Sequence, residues 1–545
     1  MKQTEKNITR REFLHLTGVT VAGTAMSPLA WGKKSQQGEK PNILIIMTDQ
    51  QFADAMSCAI GNRYIHTPAM DSLAANGMRF TRAYAANPIC CPSRTAMFTG
   101  RYPHETGVQD NSGAFDVEKF PMLGKVFKDA GYDTGYTGKT HIRFSTSRSN
   151  PRFSEKTVDI HGFDFLFQGR VNAADSPRKG DWGRVWPGIE FLKKKRDKPF
   201  LLVVSCMNPH NICEWARMAS KGKFSKLPDG EIGTPPPLAQ CPPMRKNNQP
   251  PANQTPIMKY MRWSYQHTST FPVWNFDEKK WREYMWAYYR MTEMVDGEIG
   301  KVLATLRETG QEENTLVVFV SDHGDCHGAH GWNQKTVFYD ESCRVPLIIS
   351  WKGRTPQGTS DVLVNTGVDL YPTLCDFAGI DAPNGLPGKS LKTPALGQEP
   401  IWKREYVVSQ NYMAQGRGVG PTRVKQRANK LQPHGRMVRS DRYKYCVYSD
   451  DKQERELLDL ATLSGERKEL ERQRVLLRTT RQESLIDMKN DPGEMNNLAE
   501  DPAYRKVLEQ HRQYLQDFRE TTGDTFSAPK AHPTERTTGN SQELQ

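Results

Sequence analysis

Four short runs along the chain have the pattern of buried strands. They cover residues 42–47, 132–137, 200–205 and 315–321. Continuous apolar runs without strict alternation are typical of parallel strands that are covered on both faces. Polar residues follow each run within a few positions. Because ligands of open α/β sheets bind beyond the carboxyl ends of the strands, these polar residues are expected to share one site if the strands are neighbours.

The polar residues after the four runs are of types that bind metal ions and transfer protons. In chain order they are Asp49 and Gln50, Lys139 and His141, His210, and Asp322 and His323. Carboxylate and amide oxygens suit a hard cation such as Ca²⁺ or Mg²⁺, and the histidine also admits Mn²⁺. The pattern therefore predicts a metal site formed by Asp49, Gln50, Asp322 and His323.

Helical periodicity alternates with the four runs, as expected for an α/β fold. One helix is predicted over 68–76 and a long one over 285–309, and a glycine follows each. Residues 214–280 hold three proline clusters and lack clear periodicity. We expect this stretch to form loops on the substrate side of the site.

A second, smaller domain is predicted after the segment 383–400, which is rich in Pro, Gly and Lys. Residues 436–448 alternate like an antiparallel strand pair. The highly charged stretch 466–483 predicts a helix, and the polar residues 529–545 are expected to be a disordered tail.

The charge and length of the chain restrict its class. With 545 residues it can bury a large core and is expected to form two domains. Its net charge of +13 favours acidic partners, among them sulfated polysaccharide, nucleic acid and anionic lipid. No nucleic-acid-binding motif stands out, and no segment after the N-terminus is apolar enough to span a bilayer. We therefore expect neither a nucleic-acid partner nor a membrane span.

The N-terminus has the pattern of an export signal. Arg10 and Arg11, with Phe13 and Leu14, precede a mildly apolar run that ends near Ala30. This pattern resembles a twin-arginine signal, so residues 1–31 are predicted to be a signal peptide read by the twin-arginine export machinery. The mature protein is then expected to be bacterial and periplasmic or secreted. The ten cysteines are too sparse for a disulfide-dense scaffold.

Cys90 opens the stretch Cys-Cys-Pro-Ser-Arg-Thr-Ala-Met-Phe-Thr-Gly-Arg, residues 90–101. Pro92 suits the first turn of a helix, because its missing N–H would have no partner there. The free amides and the dipole of such a helix start favour anions, and Arg94 adds a positively charged fork. The sequence therefore predicts that Cys90 binds or attacks a negatively charged group.

The same stretch resembles the signature C-x-P-S-R followed by T-G-R of the type I sulfatases, which belong to the alkaline-phosphatase-like superfamily. The resemblance implies that a maturation enzyme oxidises Cys90 to formylglycine, an aldehyde that acts as its hydrate. It also implies a divalent cation, usually Ca²⁺, bound by Asp49, Gln50, Asp322, His323 and residue 90. The family commonly has two adjacent aspartates in the first loop. Here the second is Gln50, so Mg²⁺ and Mn²⁺ stay open as alternatives.

Further motifs extend the resemblance over most of residues 41–500. Lys139 and His141 match a G-K-x-H element, His210 a P-H element, and Lys335 the lysine after the metal turn, while residues 487–498 match D-x-x-x-D-P-x-E-x-x-N-L. The implied catalytic residues are Cys90, Arg94, Lys139, His141, His210 and Lys335. The two lysines would neutralise a sulfate and Arg94 would steady the hydrate. His210 or Lys335 would protonate the leaving alcohol and His141 would take up a proton, although the two histidines could exchange roles.

Four functions are compatible with these residues. The first is a sulfatase that hydrolyses sulfate esters, with sulfated carbohydrate as the expected substrate. A sulfamidase acting on N-sulfated glucosamine uses the same core. A phosphonate monoester or phosphodiester hydrolase shares the aldehyde, and the Asp-Gln and Asp-His pairs favour it. A noncatalytic glycan-binding protein would show gaps in the catalytic set, and the change to Gln50 is the one departure that we find.

The expected fold is α/β, an alkaline-phosphatase-like mixed-sheet sandwich with a smaller C-terminal α+β domain. The catalytic domain is predicted over 40–390 and the C-terminal domain over 400–528. The sheet order follows from the resemblance, because periodicity does not give it.

Overall fold

The strands and helices below come from a computed structural model that describes residues 40–145, 159–165, 180–223, 227, 230–266, 272–412, 434–448 and 482–526. Its strands are β1 (Asn42–Asp49), β2 (Gly77–Phe80), β3 (Ala83–Tyr84), β4 (Phe115–Asp116), β5 (Asp133–Gly138), β6 (Phe144–Ser145), β7 (Asp159–Ile160), β8 (Phe163–Phe165), β9 (Phe200–Pro209), β10 (Thr315–Ser321), β11 (Leu347–Ser350), β12 (Gly358–Ser360), β13 (Val364–Asn365), β14 (Tyr406–Tyr412), β15 (His434–Ser440), β16 (Tyr443–Tyr448) and β17 (Glu483–Asp487).

The helices in the same ranges are α1 (Ser57–Ile60), α2 (Pro68–Ala75), α3 (Cys90–Thr99), α4 (Pro103–Thr106), α5 (Leu123–Asp129), α6 (Asp181–Lys193), α7 (Ile212–Lys221), α8 (Pro256–Gln266), α9 (Glu278–Glu308), α10 (Asp340–Cys343), α11 (Thr366–Ala378), α12 (Lys392–Ala395) and α13 (Arg505–Thr522). The predicted signal peptide (1–31), nearly all of the charged stretch 466–483 and the predicted tail (529–545) lie outside the described residues.

The largest sheet is mixed and has the order β12-β2-β11-β10-β1-β9-β5-β8-β7. Its middle strands β10, β1, β9 and β5 are mutually parallel. They correspond to the four predicted runs, with β5 shifted by one residue from the run at 132–137. β11 pairs antiparallel with β10, which makes the sheet mixed. The four runs are therefore neighbours, and their carboxyl ends meet at one edge of the sheet.

Helices cover both faces of this sheet, which explains the continuous apolar runs. Ile43 and Ile45 of β1 pack into one core with residues of α3, α5 and α11. Leu44 and Ile46 pack into a second core with residues of α2, α6 and α9. Burial of apolar surface at about 25 cal/mol per Å² makes these two cores the main stabilising term of the domain.

The long helix α9 begins seven residues before the predicted start of 285, and its end agrees with the prediction. The side chain of Asp277 accepts a hydrogen bond from the backbone N–H of Lys280 at 2.8 Å and caps the helix. The first two turns are mostly charged, so their apolar period is weak. The N-cap aspartate Asp277 is the sequence signal that could have located the true start.

The prediction of irregular structure over 214–280 is wrong in part, because α8 and most of α7 lie within it. The buried residues of α7 include Ile212, Trp215, Ala216 and Ala219. Their spacing of i, i+3, i+4 and i+7 is a helical signal. The prolines that follow α7 hid this short pattern.

A four-stranded antiparallel sheet, in the order β14-β15-β16-β17, forms the smaller C-terminal part. β15 and β16 are the strand pair predicted over 436–448. Val438 and Leu485 on one face of this sheet pack against Leu508 and Leu515 of α13. The two sheets and their helices confirm the expected α/β fold with a C-terminal α+β part. The domain limits 40–390 and 400–528 stay predictions.

A buried ion pair fastens the end of α13 to this sheet. Arg436 donates to the carboxylate of Asp524 through Nε at 2.6 Å and Nη2 at 2.8 Å, and each side chain is 1% exposed. Asp524→Ala leaves a buried guanidinium unpaired, so we expect a loss of about 3–5 kcal/mol in the free energy of unfolding. Urea unfolding measures this loss. The control is Asp129→Ala, which breaks an exposed pair with Lys125 and should cost less than about 1 kcal/mol; equal losses would contradict the prediction.

Two further features bear on the expectations from sequence. Among the described helices, none combines the length and the apolar content needed to cross a bilayer. All ten cysteines fall within the described ranges, and each is a free thiol.

Candidate active site

Cys90 is the first residue of α3, at the carboxyl edge of the central sheet. Ile89 precedes the helix in an extended conformation and Gly100 ends it in a left-handed one, as Pro92 and the glycine predict. Every residue of α3 is buried, and Cys90 is only 1% exposed. The helix start therefore presents the thiol to the interior of the site.

Two lysines and a histidine surround the thiol of Cys90. Its Sγ lies 2.8 Å from Lys335 Nζ, 3.1 Å from His323 Nε2 and 3.8 Å from Lys139 Nζ. Burial and the nearby Asp49 oppose ionisation, whereas Lys139, Lys335 and His323 favour it. The balance holds the pKa of the Cys90 thiol well below its ordinary value. Positive charges thus surround residue 90, and the expectation that it binds or attacks a negatively charged group stays a prediction.

Arg94 bridges the carboxylates of Asp49, which ends β1, and Asp322, which follows β10. Its Nε lies 2.7 Å from Asp322 Oδ2 and its Nη2 lies 3.0 Å from Asp49 Oδ2. A third nitrogen, Nη1, donates to the carbonyl of Lys139 and to the hydroxyl of Ser205, both at 2.8 Å. The guanidinium thus joins the ends of β1, β5, β9 and β10, and its side chain is fully buried.

The carboxylates differ in their surroundings. Burial opposes ionisation of Asp49, but the charges of Lys139 and Arg94 outweigh it and hold the pKa of its carboxyl well below the ordinary value. Lys139 forms an ion pair with Asp49 Oδ2. Burial and the charge of Asp49 raise the pKa of Asp322. Two adjacent carboxylates, one of them destabilised by the other, favour a bound cation.

The donor set fits a divalent cation. Asp49, Cys90, Asp322 and His323 are buried and each offers a ligand atom within 4.8 Å of the others. His323 Nδ1 lies 2.9 Å from the carbonyl oxygen of Gly324. Because a carbonyl accepts, Nδ1 carries a proton, which leaves Nε2 as the ring atom that an ion could bind, as in histidines that bind metals.

Gln50 lies beside this set, with its side chain turned to a different partner. Its backbone N–H donates to Asp322 Oδ1 at 3.1 Å, and its side-chain amide donates to Asp325 Oδ2 at 2.7 Å. Its φ of 68° is left-handed, which is uncommon for a residue other than glycine. The proposal that Gln50 binds the ion thus depends on its amide oxygen, since the amide nitrogen is held by Asp325.

An added cation is expected to stabilise the chelator-treated protein. An ion that binds only the folded chain at 100 times its Kd adds about 2.7 kcal/mol of stability. Thermal unfolding with Ca²⁺, Mg²⁺ or Mn²⁺ measures the rise in Tm and needs no catalytic turnover. Asp322→Asn should lose most of this rise, whereas the exposed-site control Asp129→Asn should keep it. An equal rise in both variants would place the ion elsewhere.

Gly138 is the last residue of β5 and the first residue of the G-K-x-H element, and no other residue could replace it. Gly138 has a φ of 87°, and a Cβ there would lie 1.9 Å from the carbonyl oxygen of Ser205. The tight approach brings the N–H of Lys139 to that same oxygen at 2.9 Å and aims the lysine at the site.

His141 is not drawn into the contacts around Cys90. No hydrogen bond or ion pair between the two is found in the described part of the chain. Its Nδ1 is buried without a hydrogen-bond partner, and its φ of 45° is left-handed. A strained backbone with an unpartnered ring nitrogen is typical of a functional position, so the predicted role of His141 stays a prediction.

His210 lies at the rim of the site. Its Nε2 is 4.0 Å from Asp49 Oδ1, and its side chain is 27% exposed. Loss of hydration, Lys139 and Lys335 hold the pKa of His210 well below its ordinary value, so the imidazole is neutral near pH 7. His210 is thus accessible to a substrate, whereas Cys90 is buried.

Two aspartates support the site residues without touching Cys90, and the sequence motifs do not include them. Asp181 accepts hydrogen bonds from the backbone N–H groups of Met207 at 2.6 Å and Asn208 at 2.9 Å, and so supports the turn before His210. Asp325 contacts the loops of Gln50 and Lys335, and burial raises the pKa of its carboxyl to about 6. Asp181 lies in a stretch without a motif, whereas Asp325 directly follows the Asp-His-Gly turn and could have been noticed.

Known proteins resemble this chain over nearly its whole length. A family model described as Sulfatase matches residues 41–380, and one described as N-sulphoglucosamine sulphohydrolase, C-terminal, matches residues 328–482. The Delta 4,5-hexuronate-2-O-sulfatase of Bacteroides thetaiotaomicron is 30% identical over 513 residues, which cover 92% of this chain and 93% of that protein.

Solved structures show the same relationship. A 2-O GAG sulfatase superposes with a TM-score of 0.65 at 28% identity, over 89% of this chain and 93% of that one. The phosphonate monoester hydrolase of Agrobacterium radiobacter has a TM-score of 0.66 at 20% identity, over 89% of this chain and 96% of that one, and shares the fold. With its signature helix, its convergent strand ends and a family match over more than half its length, the chain belongs to the sulfatase family.

Proposed function

We propose that this protein hydrolyses sulfate esters of carbohydrate, with formylglycine made from Cys90 as the nucleophile and a divalent ion beside it. The observation that carries the proposal is the group of buried positive charges around residue 90. A sulfate ester is an anion, and Lys139 and Lys335 both lie within 3.8 Å of the Cys90 sulfur. Fixed charges in a site without bulk water stabilise a developing negative charge far better than solvent does.

The aldehyde explains why a cysteine occupies this position. Its hydrate would supply one hydroxyl to attack sulfur and a second that could lose a proton to expel the sulfate, and a serine or cysteine lacks this second hydroxyl. Oxidation of the thiol to the aldehyde needs an external oxidant and a maturation enzyme. Mass spectrometry of the peptide that bears Cys90, from protein made in its native host, tests this step directly.

Asp49, Gln50, Asp322, His323 and the modified residue 90 would hold the ion. When bound, a divalent ion lowers the pKa of a neighbouring hydroxyl and adds positive charge beside the sulfate. Arg94 keeps the two aspartates in place, because it bridges them at 2.7 Å and 3.0 Å.

His210 and Lys335 are the candidates for protonating the leaving alcohol, and His141 is the candidate base. The lowered pKa of His210 means that it is neutral before substrate binds. A bound sulfate would offset the two lysine charges and raise this pKa, which would make His210 a better acid. Since His210 is partly exposed at the rim, it is placed to meet the alcohol side of the substrate.

Among sulfated carbohydrates, 2-O-sulfated hexuronate is the first substrate to test. The support is the named activity of the Bacteroides relative, which matches over nine tenths of both chains. His210 is partly exposed and Cys90 is buried. This arrangement fits a substrate whose sulfate lies deep at residue 90 and whose sugar lies nearer the rim. The match to an N-sulphoglucosamine sulphohydrolase C-terminal segment makes N-sulfated glucosamine the second substrate to test.

A phosphonate monoester or phosphodiester hydrolase is the competing function. Its support is the Asp49-Gln50 and Asp322-His323 pattern together with a shared fold. The test compares matured protein on a 2-O-sulfated hexuronate disaccharide, N-sulfoglucosamine, an aryl sulfate and an aryl phosphonate, with release of sulfate or phosphonate product as the readout. Preference for the phosphonate would replace the proposed function. Turnover of none of them by formylglycine-bearing protein would favour the noncatalytic glycan-binding alternative.

We propose that the protein is exported through the twin-arginine machinery to the periplasm or beyond. The support is the Arg10-Arg11 pattern in a basic, then apolar, N-terminal segment. Replacing both arginines with lysine should retain the protein in the cytoplasm of its host, as measured by cell fractionation. Unchanged export would point to another route.

A further inference from the structure

Asp325 is a fully buried carboxylate that lies behind the site and that catalysis does not use. It accepts hydrogen bonds from the side-chain amide of Gln50 at 2.7 Å and from the hydroxyl of Tyr284 at 3.2 Å. It also accepts from the backbone N–H groups of His327 at 2.7 Å and Gln334 at 3.2 Å. A carboxylate has about four acceptor positions, and here all four donors converge on it.

Three of the four donors belong to residues with a left-handed backbone. Gln50 has a φ of 68°, His327 a φ of 50° and Gln334 a φ of 72°. This conformation is unfavourable for residues other than glycine and persists only where the surroundings determine it. The residues next to Gln50 and Gln334 in the chain are Asp49 and Lys335, which both lie at Cys90.

A thiol extends this support to the third loop of the site. Cys213 Sγ lies 2.6 Å from the side-chain amide nitrogen of Gln334 and 3.8 Å from that of Gln50. The same sulfur lies 4.0 Å from His210 Nδ1. Asp325 is thus the charged centre of a buried polar network that reaches the loops bearing Asp49, Lys335 and His210.

We propose that Asp325 is a positioning residue for the sulfatase reaction. By holding Gln50 and Gln334 in the left-handed conformation, it fixes the adjacent Asp49 and Lys335 against residue 90. The inference rests on the proposed function, since it concerns the same site. It does not follow from the family signature, which ends at the Asp-His-Gly turn before it.

The variant Asp325→Asn tests this role. It keeps the shape of the side chain but replaces an acceptor oxygen with an NH₂ group, which cannot accept from Gln50 or from a backbone N–H. We expect kcat to fall about 10–100-fold, the range that a displacement of about 1 Å produces in a catalytic group. The second variant, Asp325→Glu, keeps both oxygens but moves them by one methylene, and is expected to lower kcat by a smaller factor.

Tyr284→Phe is the matched control, because it removes one donor to the same carboxylate without touching a left-handed residue. It should lower Tm but leave kcat nearly unchanged when the protein is assayed well below Tm. A purely structural role for Asp325 predicts the same pattern for Asp325→Asn. A kcat at the level of Tyr284→Phe in the Asp325 variants that fold would therefore overturn the inference while leaving the sulfatase activity intact.

A rescue experiment separates positioning from general destabilisation. Glycine adopts positive φ without a steric penalty. In Gln334→Gly the left-handed backbone at position 334 therefore depends less on the hydrogen bond to Asp325. In the Asp325→Asn background it is expected to restore part of the lost kcat, although it removes the contact with Cys213. A further fall in kcat would contradict the proposed mechanism. Absence of sulfate release by the matured wild-type protein would instead refute the proposed function.

Discussion

Cys90→Ala is expected to lower sulfate-ester turnover by about 10⁴-fold or more, the scale seen when an enzyme loses its nucleophile. In the proposed mechanism there is then no thiol to oxidise, so the hydrate oxygen that would attack sulfur never forms. Lys139 and Lys335 remain and still bind the anion. The measurement is kcat of wild-type and variant protein at saturating substrate, both produced together with the maturation enzyme.

Cys91→Ala is the matched control for this prediction. The Cys91 thiol points away from the site, with its Sγ 3.9 Å from the carbonyl oxygen of Gly113. Its loss should leave turnover near the wild-type level, because it occupies the variable position of the signature. Retained turnover in Cys90→Ala would refute the proposed nucleophile. A large loss of turnover in Cys91→Ala would show that any substitution at the start of the signature helix disturbs the site, and the loss in Cys90→Ala would then not identify the nucleophile.

Lys335→Met should lower kcat by about 10²–10³-fold, as removal of one fixed charge-stabilising group does in other enzymes. Lys335 is 4% exposed, and its Nζ touches both the Cys90 sulfur and His323 Nε2. The negative charge of Asp49 and of Cys90 favours its ammonium form and raises its pKa against the effect of burial. Methionine keeps the volume and removes the charge, so steady-state kinetics reports the charge alone.

The control is Lys352→Met on the surface, where the lysine forms an ion pair with Glu312 and its side chain is 49% exposed. It changes the net charge of the protein by the same amount and should leave kcat unchanged. Equal effects of the two variants would mean that the overall charge, rather than the position of Lys335, governs turnover. An unchanged kcat in Lys335→Met would remove this residue from the proposed mechanism.

The central strands can be located from sequence because burial on two faces leaves a clear pattern, whereas their order in the sheet cannot. The run at 315–321 agrees with β10 in both limits. The runs at 42 and 200 were too short, since β1 and β9 continue into the polar residues that enter the site. From sequence, polar residues at the end of an apolar run predict a loop, even where the hydrogen bonds between neighbouring strands continue through them.

The details of the site depend on backbone conformations that residue patterns do not reveal. Gln50, His141 and Gln334 all have positive φ values, although none is a glycine. The turn of the Gln50 amide towards Asp325 follows from such a conformation, so sequence alone gave the residue but not its orientation. Asp181 supports His210 across a sequence separation that no local motif bridges.

Because the signature helix is buried, the proposed oxidation of Cys90 would have to precede folding. With 1% of its surface exposed, Cys90 cannot enter the active site of another enzyme once the chain has folded. A second enzyme can act on this sulfur only during synthesis or before collapse of the nascent polypeptide. Cells that lack the oxidising partner at that moment would accumulate a correctly shaped but permanently inactive population, which later supply of the partner could not repair.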